Sequence, residues 1–255
     1  MRIAVAGATG TVGTHIVAAV RAQGDEAVLL SRGTGVDLIT GRGLAGALSG
    51  ADAVIDAANV VTTSAKKATA FFTTATGNLT AAATAAGVRH VVLLSIVGVD
   101  RNPHGYYAAK LAQERTLTGS DAPATVVRAT QFHEFAGQLA ARARLGPLQL
   151  APRARVQPIA AAEVGSHLAR IAAGEPQGTV ELAGPREERL DDMVRRYARA
   201  RGSRGSRGTR GARGWVPSVS LPGAQMAGMR AGLNLPGPGA VLGTQTFDEW
   251  LAEVR

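Results

Sequence analysis

Apolar runs and helical segments alternate through the first 130 residues of the chain. Short, continuous apolar runs predict strands at residues 2–6, 27–31, 53–56, 90–95 and 124–129, with a short sixth strand at 35–38. Helical periodicity predicts helices at 11–22, 43–48, 66–86 and 107–118. Apolar strands separated by helices are typical of a parallel sheet that is buried on both faces. The first half therefore predicts an α/β fold with a doubly wound parallel sheet.

The second half of the chain has a less regular pattern. Its periodicity predicts helices at 134–145, 161–173, 190–201 and 246–254, and one short apolar run predicts a strand at 179–182. We predict that residues 1–130 form the core of the fold. Residues 131–255 are expected to form a smaller lobe that packs over the carboxyl ends of the strands.

Composition narrows the classes of protein to consider. Of the 255 residues, 45% are hydrophobic and 18% are charged, and cysteine is absent. These values are typical of a globular protein, and they exclude disulfide scaffolds, cysteine nucleophiles and thiolate metal sites. The first residues do not resemble a secretory signal, and the longest uncharged stretch, 68–88, is too rich in threonine for a membrane span. We expect a soluble, cytoplasmic protein that does not associate with membranes.

The net charge of +9 is largely a local feature. Residues 201–214 read RGSRGSRGTRGARG and contribute five arginines without any acid. Arginine–glycine segments that bind RNA usually have aromatic neighbours for base stacking, and this tract contains none. We therefore predict a flexible loop at 201–214, and keep RNA binding by this tract as the least favoured alternative function.

The segment RIAVAGATGTVGTHIVAAV, residues 2–20, carries a phosphate-binding pattern. Three glycines lie between the first predicted strand and the first predicted helix. In this context the first glycine permits a tight turn, the second admits a pyrophosphate, and the third lets the helix pack closely on the sheet. The helix N-terminus adds free N–H groups. The predicted cofactor contacts in this turn are Gly7, Thr9, Gly10, Thr11, Val12 and Gly13.

The end of the second strand distinguishes the two dinucleotides. NAD enzymes usually place Asp or Glu there to bind the ribose hydroxyls. Here Ser31 and Arg32 occupy that place, and a guanidinium can bind a 2′-phosphate that a carboxylate would repel. The sequence therefore predicts NADP, with NADPH as its reduced form. Further predicted contacts are Asp37 near the adenine and, under the nicotinamide half, Ala57, Ala58 and Asn59.

Three residues carry candidate chemistry: Ser95 ends the predicted strand at 90–95, and Tyr106 and Lys110 follow it. Tyr106 and Lys110 are four residues apart, so they share one face of a helix. A neighbouring ammonium is expected to lower the pKa of the phenol, and Ser95 can hydrogen-bond a substrate oxygen. Tyr107 lies on the same helical face and remains the alternative proton donor.

Together, GATGTVG, SRG, the Ala-Ala-Asn strand end and Ser…YxxxK resemble the short-chain dehydrogenase/reductase superfamily, and more narrowly its NmrA-like, NAD(P)-binding members. The similarity covers roughly residues 1–200. It implies a Rossmann fold, a catalytic triad of Ser95, Tyr106 and Lys110, and a second role for Lys110 in holding the nicotinamide ribose. The segment RATQFHEF resembles the family's nicotinamide and substrate segment, which implies contacts from Thr130, Gln131 and Phe132.

These features lead to two hypotheses. The first is an NADPH-dependent oxidoreductase that transfers hydride to a small carbonyl, quinone or enone, with the second lobe binding the substrate. The second is a non-catalytic NADP(H)-sensing protein with a regulatory protein partner. A homo-oligomer is compatible with both. The histidines have no metal-ligand spacing, so we predict no metal, and we predict that His133 is a packing residue.

Overall fold

The computed structural model describes residues 1–142, 144–145, 148–202 and 216–254. The loop predicted at 201–214 lies outside the described residues, apart from its first two positions. Within the described ranges, no helix combines the length and the apolar character that crossing a bilayer requires.

The chain alternates strands and helices in the predicted order. The strands are β1 Arg2–Ala6, β2 Glu26–Leu30, β3 Ala53–Asp56, β4 His90–Ile96, β5 Ala124–Ala129, β6 Arg144–Leu145, β7 Leu148–Gln149, β8 Ala151–Pro152, β9 Arg155–Val156, β10 Gly178–Ala183, β11 Glu188–Arg189, β12 Ser218–Val219 and β13 Val241–Leu242. The helices are α1 Thr11–Ala22, α2 Leu44–Leu48, α3 Ala65–Ala85, α4 Tyr106–Thr118, α5 Glu134–Arg142, α6 Ala161–Ala173, α7 Leu190–Gly202, α8 Ala224–Arg230 and α9 Phe247–Glu253. A 3₁₀ turn covers Arg32–Thr34.

Seven parallel strands form the central sheet in the order β2-β1-β3-β4-β5-β10-β13. The chain moves outward from β1 to β2 on one side and from β3 onward on the other. The strand order therefore reverses between β1 and β3, whose last residues, Ala6 and Asp56, are paired. Ligands of such sheets bind outside the carboxyl ends of the strands at this point. The predicted α/β fold with a Rossmann-type, doubly wound parallel sheet is confirmed.

Helices cover both faces of the sheet. On one face, Ile3 and Val5 of β1 pack against α1 and α6; on the other, Ala4 and Ala6 pack in the layer formed by α2, α3 and α4. Successive residues of one strand point to opposite faces, so burial on both faces requires every position to be apolar. This is why the strands are continuous apolar runs in the sequence.

A third cluster forms the core of the remaining part of the fold. Helices α5, α7, α8 and α9 contribute Ala136, Met193, Met229 and Phe247, and Tyr107 joins them from α4. This cluster, which we call the lobe core, places the start of α4 between the sheet and the lobe. The start of α4 carries both tyrosines, so they lie where the two parts of the fold meet.

Two features differ from the sequence pattern. Residues 35–38 form no strand, so that prediction is wrong: Gly35 adopts φ +82 at the end of the 3₁₀ turn, and Val36 N donates to Ser31 O instead of pairing with β2. In addition, α6 packs on α1, and β10 and β13 join the sheet. The sheet therefore extends beyond residue 130, the limit predicted for the core.

Candidate active site

The turn between β1 and α1 lies at the carboxyl edge of the sheet, beside the reversal of strand order. Gly7 has φ +75, and Gly10 N donates to Gly7 O at 2.9 Å. A Cβ on Gly7 would lie 2.5 Å from the Ala57 carbonyl oxygen, and a Cβ on Gly13 would lie 2.0 Å from Gly7 O. The turn, α1 and the segment after β3 therefore meet at a distance that only glycine permits.

The N-terminus of α1 is open toward this turn. Gly10 is the N-cap residue, no side chain caps the helix, and its first turn contains no acid. The N–H groups of Thr11, Val12 and Gly13 have no hydrogen-bond partner in the described part of the chain. Thr9, Gly10 and Thr11 are exposed. Free N–H groups at the positive end of a helix dipole fit the pyrophosphate of a dinucleotide.

Ser31 and Arg32 follow β2 at the same edge of the sheet. Ser31 Oγ accepts a hydrogen bond from Thr34 N at 3.3 Å, and Thr34 Oγ1 accepts one from Ser31 N at 3.1 Å. This capping box fixes the backbone on either side of Arg32. The Arg32 side chain is exposed and makes no salt bridge or hydrogen bond with any residue that the structure describes. Its guanidinium is therefore available to an anionic ligand.

Asp37 organises the loop that follows. Its Oδ1 accepts hydrogen bonds from the backbone N–H groups of Ile39 at 2.8 Å and Thr40 at 3.3 Å. Asn78 of α3 donates to the carbonyl oxygens of Leu38 and Ile39, both at 2.9 Å. The loop is thus attached to α3, with one oxygen of Asp37 committed to the backbone.

The segment after β3 connects the glycine turn to α4. Ala57 N donates to Ala6 O at 3.1 Å, and Ala58 N donates to a carboxylate oxygen of Asp56 at 3.0 Å. Asn59 is exposed, and its Oδ1 accepts a 2.7 Å hydrogen bond from the Tyr106 hydroxyl. The structure therefore brings Asn59 and Tyr106 together beside the glycine turn.

The two tyrosines at the start of α4 have different surroundings. Tyr106 is partly exposed, and burial raises the pKa of its phenol, with a further contribution from Tyr107. Tyr107 lies in the lobe core, where its hydroxyl donates to the sulfur of Met229 at 3.4 Å and burial raises its pKa to about 12. Both phenols are protonated at neutral pH. Of the two, Tyr106 has its hydroxyl next to the predicted cofactor contacts.

Lys110 lies one turn further along α4 and is 5% exposed. Its Nζ donates to Leu94 O at 2.8 Å and to Gln113 Oε1 at 2.5 Å, and it lies 4.7 Å from the centre of the Phe72 ring. Tyr106 meets the same ring edge-on, with centroids 5.6 Å apart. Tyr106 and Lys110 thus share one neighbour, as their spacing predicts.

The pKa values of Tyr106 and Lys110 differ from what the sequence predicts. Burial lowers the pKa of Lys110 to about 8, although Asp56 and Glu114 oppose the change. The pKa of Tyr106 is raised, so the predicted lowering by a neighbouring ammonium is wrong for this state of the protein. The reason is geometric: the Lys110 ammonium is bonded to Leu94 and Gln113, while the Tyr106 hydroxyl is bonded to Asn59.

Ser95 hydrogen-bonds to a carboxylate further along α4. Its side chain is buried and donates to Glu114 Oε1 at 2.5 Å, and Glu114 also pairs with Arg128 at 2.7 Å. Glu114 lies eight residues after Tyr106, which is about 12 Å along a helix. The next residue of β4, Ile96, packs against the lobe core together with Tyr106.

The segment after β5 is mostly structural. Thr130 is buried and donates to Gln157 O at 2.6 Å, and Phe132 forms a β-bridge with Ile159 and packs against the α1 and α6 layer. Gln131 differs, because its buried amide lies next to the Tyr107 hydroxyl.

His133 is fully buried against α9. Its Nε2 lies 3.0 Å from Gln245 O, and its ring packs against Phe247 and Trp250. Burial lowers its pKa, which keeps the imidazole neutral. Across the described ranges, no three His, Asp or Glu side chains are grouped in a way that could hold a metal ion.

Sequence reasoning missed a buried polar group beside Lys110. It comprises Asp56 of β3, Thr76 of α3 and Gln113 of α4, which hydrogen-bond to one another. Gln113 follows Lys110 by three residues, a spacing that places both on one helical face. Asp56 lies 57 residues from Gln113 in the chain, so no local sequence pattern predicts this contact.

Comparison with known proteins agrees with this geometry. A family described as NAD(P)H-binding matches residues 35–171. No protein with a curated description matches the chain in sequence. Among solved structures, an NADPH-dependent quinone oxidoreductase of Escherichia coli in complex with NADPH has a TM-score of 0.69 at 19% identity, with 99% of each chain covered.

Two further structures have the same fold. A short-chain dehydrogenase/reductase superfamily protein of Agrobacterium tumefaciens with bound NAD has a TM-score of 0.67 at 17% identity, covering 99% of this chain and 95% of that chain. A nucleoside-diphosphate-sugar epimerase of Staphylococcus aureus has a TM-score of 0.69 at 17% identity, covering 98% and 99%. At these identities the likeness shows the fold alone.

Proposed function

Because the chain belongs to the NAD(P)H-binding family, we propose that it is an NADPH-dependent oxidoreductase that reduces a small carbonyl, quinone or enone. When bound, NADPH supplies the hydride for such a reduction. The E. coli neighbour that is an NADPH-dependent quinone oxidoreductase supports this class of reaction through its fold. The choice of substrate class rests on the side chains of this chain.

Different residues at the carboxyl edge of the sheet would bind different parts of the cofactor. The free N–H groups of α1 at Thr11 to Gly13 would bind the pyrophosphate, with Gly7 and Gly10 leaving room for it. Arg32 would bind the 2′-phosphate because its guanidinium has no partner in the described residues. Asp37 would face the adenine, and Lys110 the nicotinamide ribose.

One observation carries the proposal: the Tyr106 hydroxyl donates a hydrogen bond to a carbonyl oxygen, Oδ1 of Asn59. This pair lies beside the segment that meets the glycine turn. A substrate carbonyl oxygen has the same acceptor chemistry as the Asn59 amide, so it can replace that amide as the partner of Tyr106. Tyr106 is therefore poised to donate to a carbonyl.

The raised pKa of Tyr106 suits a proton donor. At neutral pH the phenol is protonated, because burial disfavours the phenolate. As a substrate ketone accepts hydride, its oxygen becomes an alkoxide, which is a stronger base than a phenolate. The proton then moves from the Tyr106 oxygen to the substrate oxygen, and solvent restores it afterwards. A quinone instead becomes a hydroquinone anion, whose basicity is comparable with that of a phenolate, so for a quinone Tyr106 serves mainly as the hydrogen-bond donor to the oxygen.

The surroundings of Tyr106 support an apolar substrate. Ile96, Leu111 and Met226 are partly buried and pack against the lobe core together with Tyr106. An apolar cluster beside Tyr106 would favour a quinone, an enone or an unsubstituted ketone over a sugar, because the hydroxyls of a sugar would lose their hydrogen bonds to water there.

Turnover by Tyr106→Phe tests the mechanism. Loss of the phenolic proton is expected to lower kcat by about 100-fold or more, the usual size of a general-acid contribution, while NADPH affinity stays within about twofold. NADPH oxidation is followed with a panel of quinones, enones and ketones. Tyr107→Phe is the matched control, because its hydroxyl contacts Met229 in the lobe core. Equal turnover by Tyr106→Phe and the wild type would remove Tyr106 from the mechanism.

A second function is favoured by one observation. Ser95, the third member of the predicted triad, donates its hydroxyl to the buried carboxylate of Glu114. A site with this arrangement suits a non-catalytic sensor of NADP(H) that acts on a regulatory partner. Such a protein binds NADPH selectively and oxidises it with no member of the substrate panel, whereas the proposed oxidoreductase turns over at least one.

A further inference from the structure

A buried chain of hydrogen bonds ends at Lys110. Gln113, with 0% exposure, accepts from Lys110 Nζ at its Oε1. Its Nε2 donates to Asp56 Oδ2 at 3.1 Å and to Thr76 Oγ1 at 2.9 Å, and Thr76 donates to the same Asp56 oxygen at 2.8 Å. The chain links β3, α3 and α4 beneath the site.

The chemistry of its two ends fixes the orientation of the Gln113 amide. A carboxylate only accepts hydrogen bonds, so Asp56 requires the NH₂ group of Gln113 to face it. An ammonium only donates, so Lys110 requires the amide oxygen. Reversing the amide would break both contacts. The hydrogen bond to Asp56 therefore holds the NH₂ group of Gln113 on one side, so that its amide oxygen faces Lys110.

We propose that Gln113 is a positioning residue for Lys110, and that Asp56 and Thr76 fix the amide that holds the lysine ammonium at the site. Gln113 separates the ammonium from the Asp56 carboxylate, which would otherwise be free to form a direct ion pair with Lys110. The proposal rests on the function given above, in which Lys110 binds the nicotinamide ribose.

The remaining hydrogen-bonding capacity of Lys110 agrees with this role. Two of its three N–H groups are used, by Leu94 O and Gln113 Oε1, and the third has no acceptor among the residues that the structure describes. Fixing two N–H groups fixes the direction of the third. Gln113 thereby determines where Lys110 can donate to a ligand hydroxyl.

The charges that face Lys110 come from two elements. Asp56 of β3 and Glu114 of α4 both favour the ammonium form. Glu114 is already paired with Arg128 of β5 and receives the Ser95 hydroxyl, whereas Asp56 has no salt bridge in the described part of the chain. Helix α3 contributes only the neutral side chains of Thr76 and Phe72. Asp56 and Gln113 are therefore the groups that most directly support the charged lysine.

The pKa of Lys110, measured by NMR on the cofactor-free protein, tests the proposal. The chain has only three lysines, and Lys66 and Lys67 are exposed, so labelling lysine with ¹³C at Cε gives three signals. The signal of Lys110 is expected to titrate near pH 8. Gln113→Met removes the acceptor at nearly constant volume. The pKa of Lys110 is expected to fall by about one unit, the value of a hydrogen bond to a charged group.

Two further variants complete the experiment. Thr80→Val is the matched control, because Thr80 is buried on α3 and donates only to Gly77 O of its own helix. Its Lys110 signal should titrate as in the wild type. Thr76→Val removes the hydroxyl that accepts from the Gln113 amide without changing any charge, and should also lower the pKa of Lys110. This variant decides between the two outcomes if Gln113→Met does not fold.

An unchanged Lys110 titration in folded Gln113→Met, or in Thr76→Val if Gln113→Met does not fold, would overturn the proposal. A purely structural Gln113 would lower the free energy of unfolding and leave the Lys110 signal in place. The titration needs neither cofactor nor substrate. Its result is therefore independent of whether the protein turns over NADPH, and a failure of one proposal is distinguishable from a failure of the other.

Discussion

Two hydrogen-bonded pairs of polar side chains near the carboxyl edge of the sheet differ in their exposure to solvent. Tyr106 and Asn59 form an exposed pair that a ligand can reach and replace. Ser95 and Glu114 form a buried pair that Arg128 completes. Exchange with a substrate is easy for the first pair, whereas breaking the second would leave a buried carboxylate short of a donor. We therefore expect Tyr106 to take part in the reaction, and Ser95 to contribute to the free energy of unfolding.

Ser95→Ala tests this division. Removing the hydroxyl deprives Glu114 of one buried donor, so the free energy of unfolding should fall by about 1 kcal/mol, as for a typical hydrogen bond. The kcat for the best substrate should change by no more than about threefold. Urea unfolding and steady-state kinetics measure the two effects. A 100-fold loss of kcat with an unchanged free energy of unfolding would contradict this expectation and show that Ser95 takes part in the reaction.

At the scale of elements, local patterns determine most of the layout. Strands β1, β3 and β5 and helices α1 and α6 have the predicted bounds, because their burial requires continuous or periodic apolar residues. Elements with weaker patterns were missed. Strand β13 is two exposed residues at the sheet edge, and α8 lies in a segment rich in glycine and proline. Their positions depend on tertiary contacts that local sequence does not encode.

The glycine turn gives a prediction at this scale. In Gly13→Ala the new Cβ would lie 2.0 Å from Gly7 O, so α1 must move away from the turn. The free energy of unfolding should fall by about 1–3 kcal/mol, as for other overpacked sites. NADPH affinity should fall at least about tenfold, because the helix N–H groups are displaced.

The matched control is Gly46→Ala in α2, where a Cβ meets nothing within 4 Å. That variant should be unchanged or more stable by up to about 1 kcal/mol, since alanine favours the helix. Urea unfolding and calorimetry compare the two variants. Equal behaviour of Gly13→Ala and Gly46→Ala would contradict the close approach of α1 to the turn.

At the scale of the whole molecule, the sequence predicts the fold and the family better than it predicts contacts between distant side chains. The Rossmann-type fold and the NAD(P)H-binding family are confirmed by the parallel sheet and by the family match. The site depends on contacts between distant segments. Asn59 meets Tyr106, and Asp56 meets Gln113, only because α3 and α4 pack side by side on the sheet. No local spacing encodes these pairs.

We expect the glycine turn and Arg32 to bind NADPH in preference to NADH. Calorimetric titration of the wild type, Arg32→Ala and Arg21→Ala tests it, with Arg21 as an exposed arginine at the far end of α1. We expect the wild type and Arg21→Ala to bind NADPH at least about tenfold more tightly than NADH, a difference of about 1.4 kcal/mol. Arg32→Ala should lose that preference and keep its affinity for NADH. Absence of heat with both cofactors, or equal affinities in the wild type, would contradict this expectation.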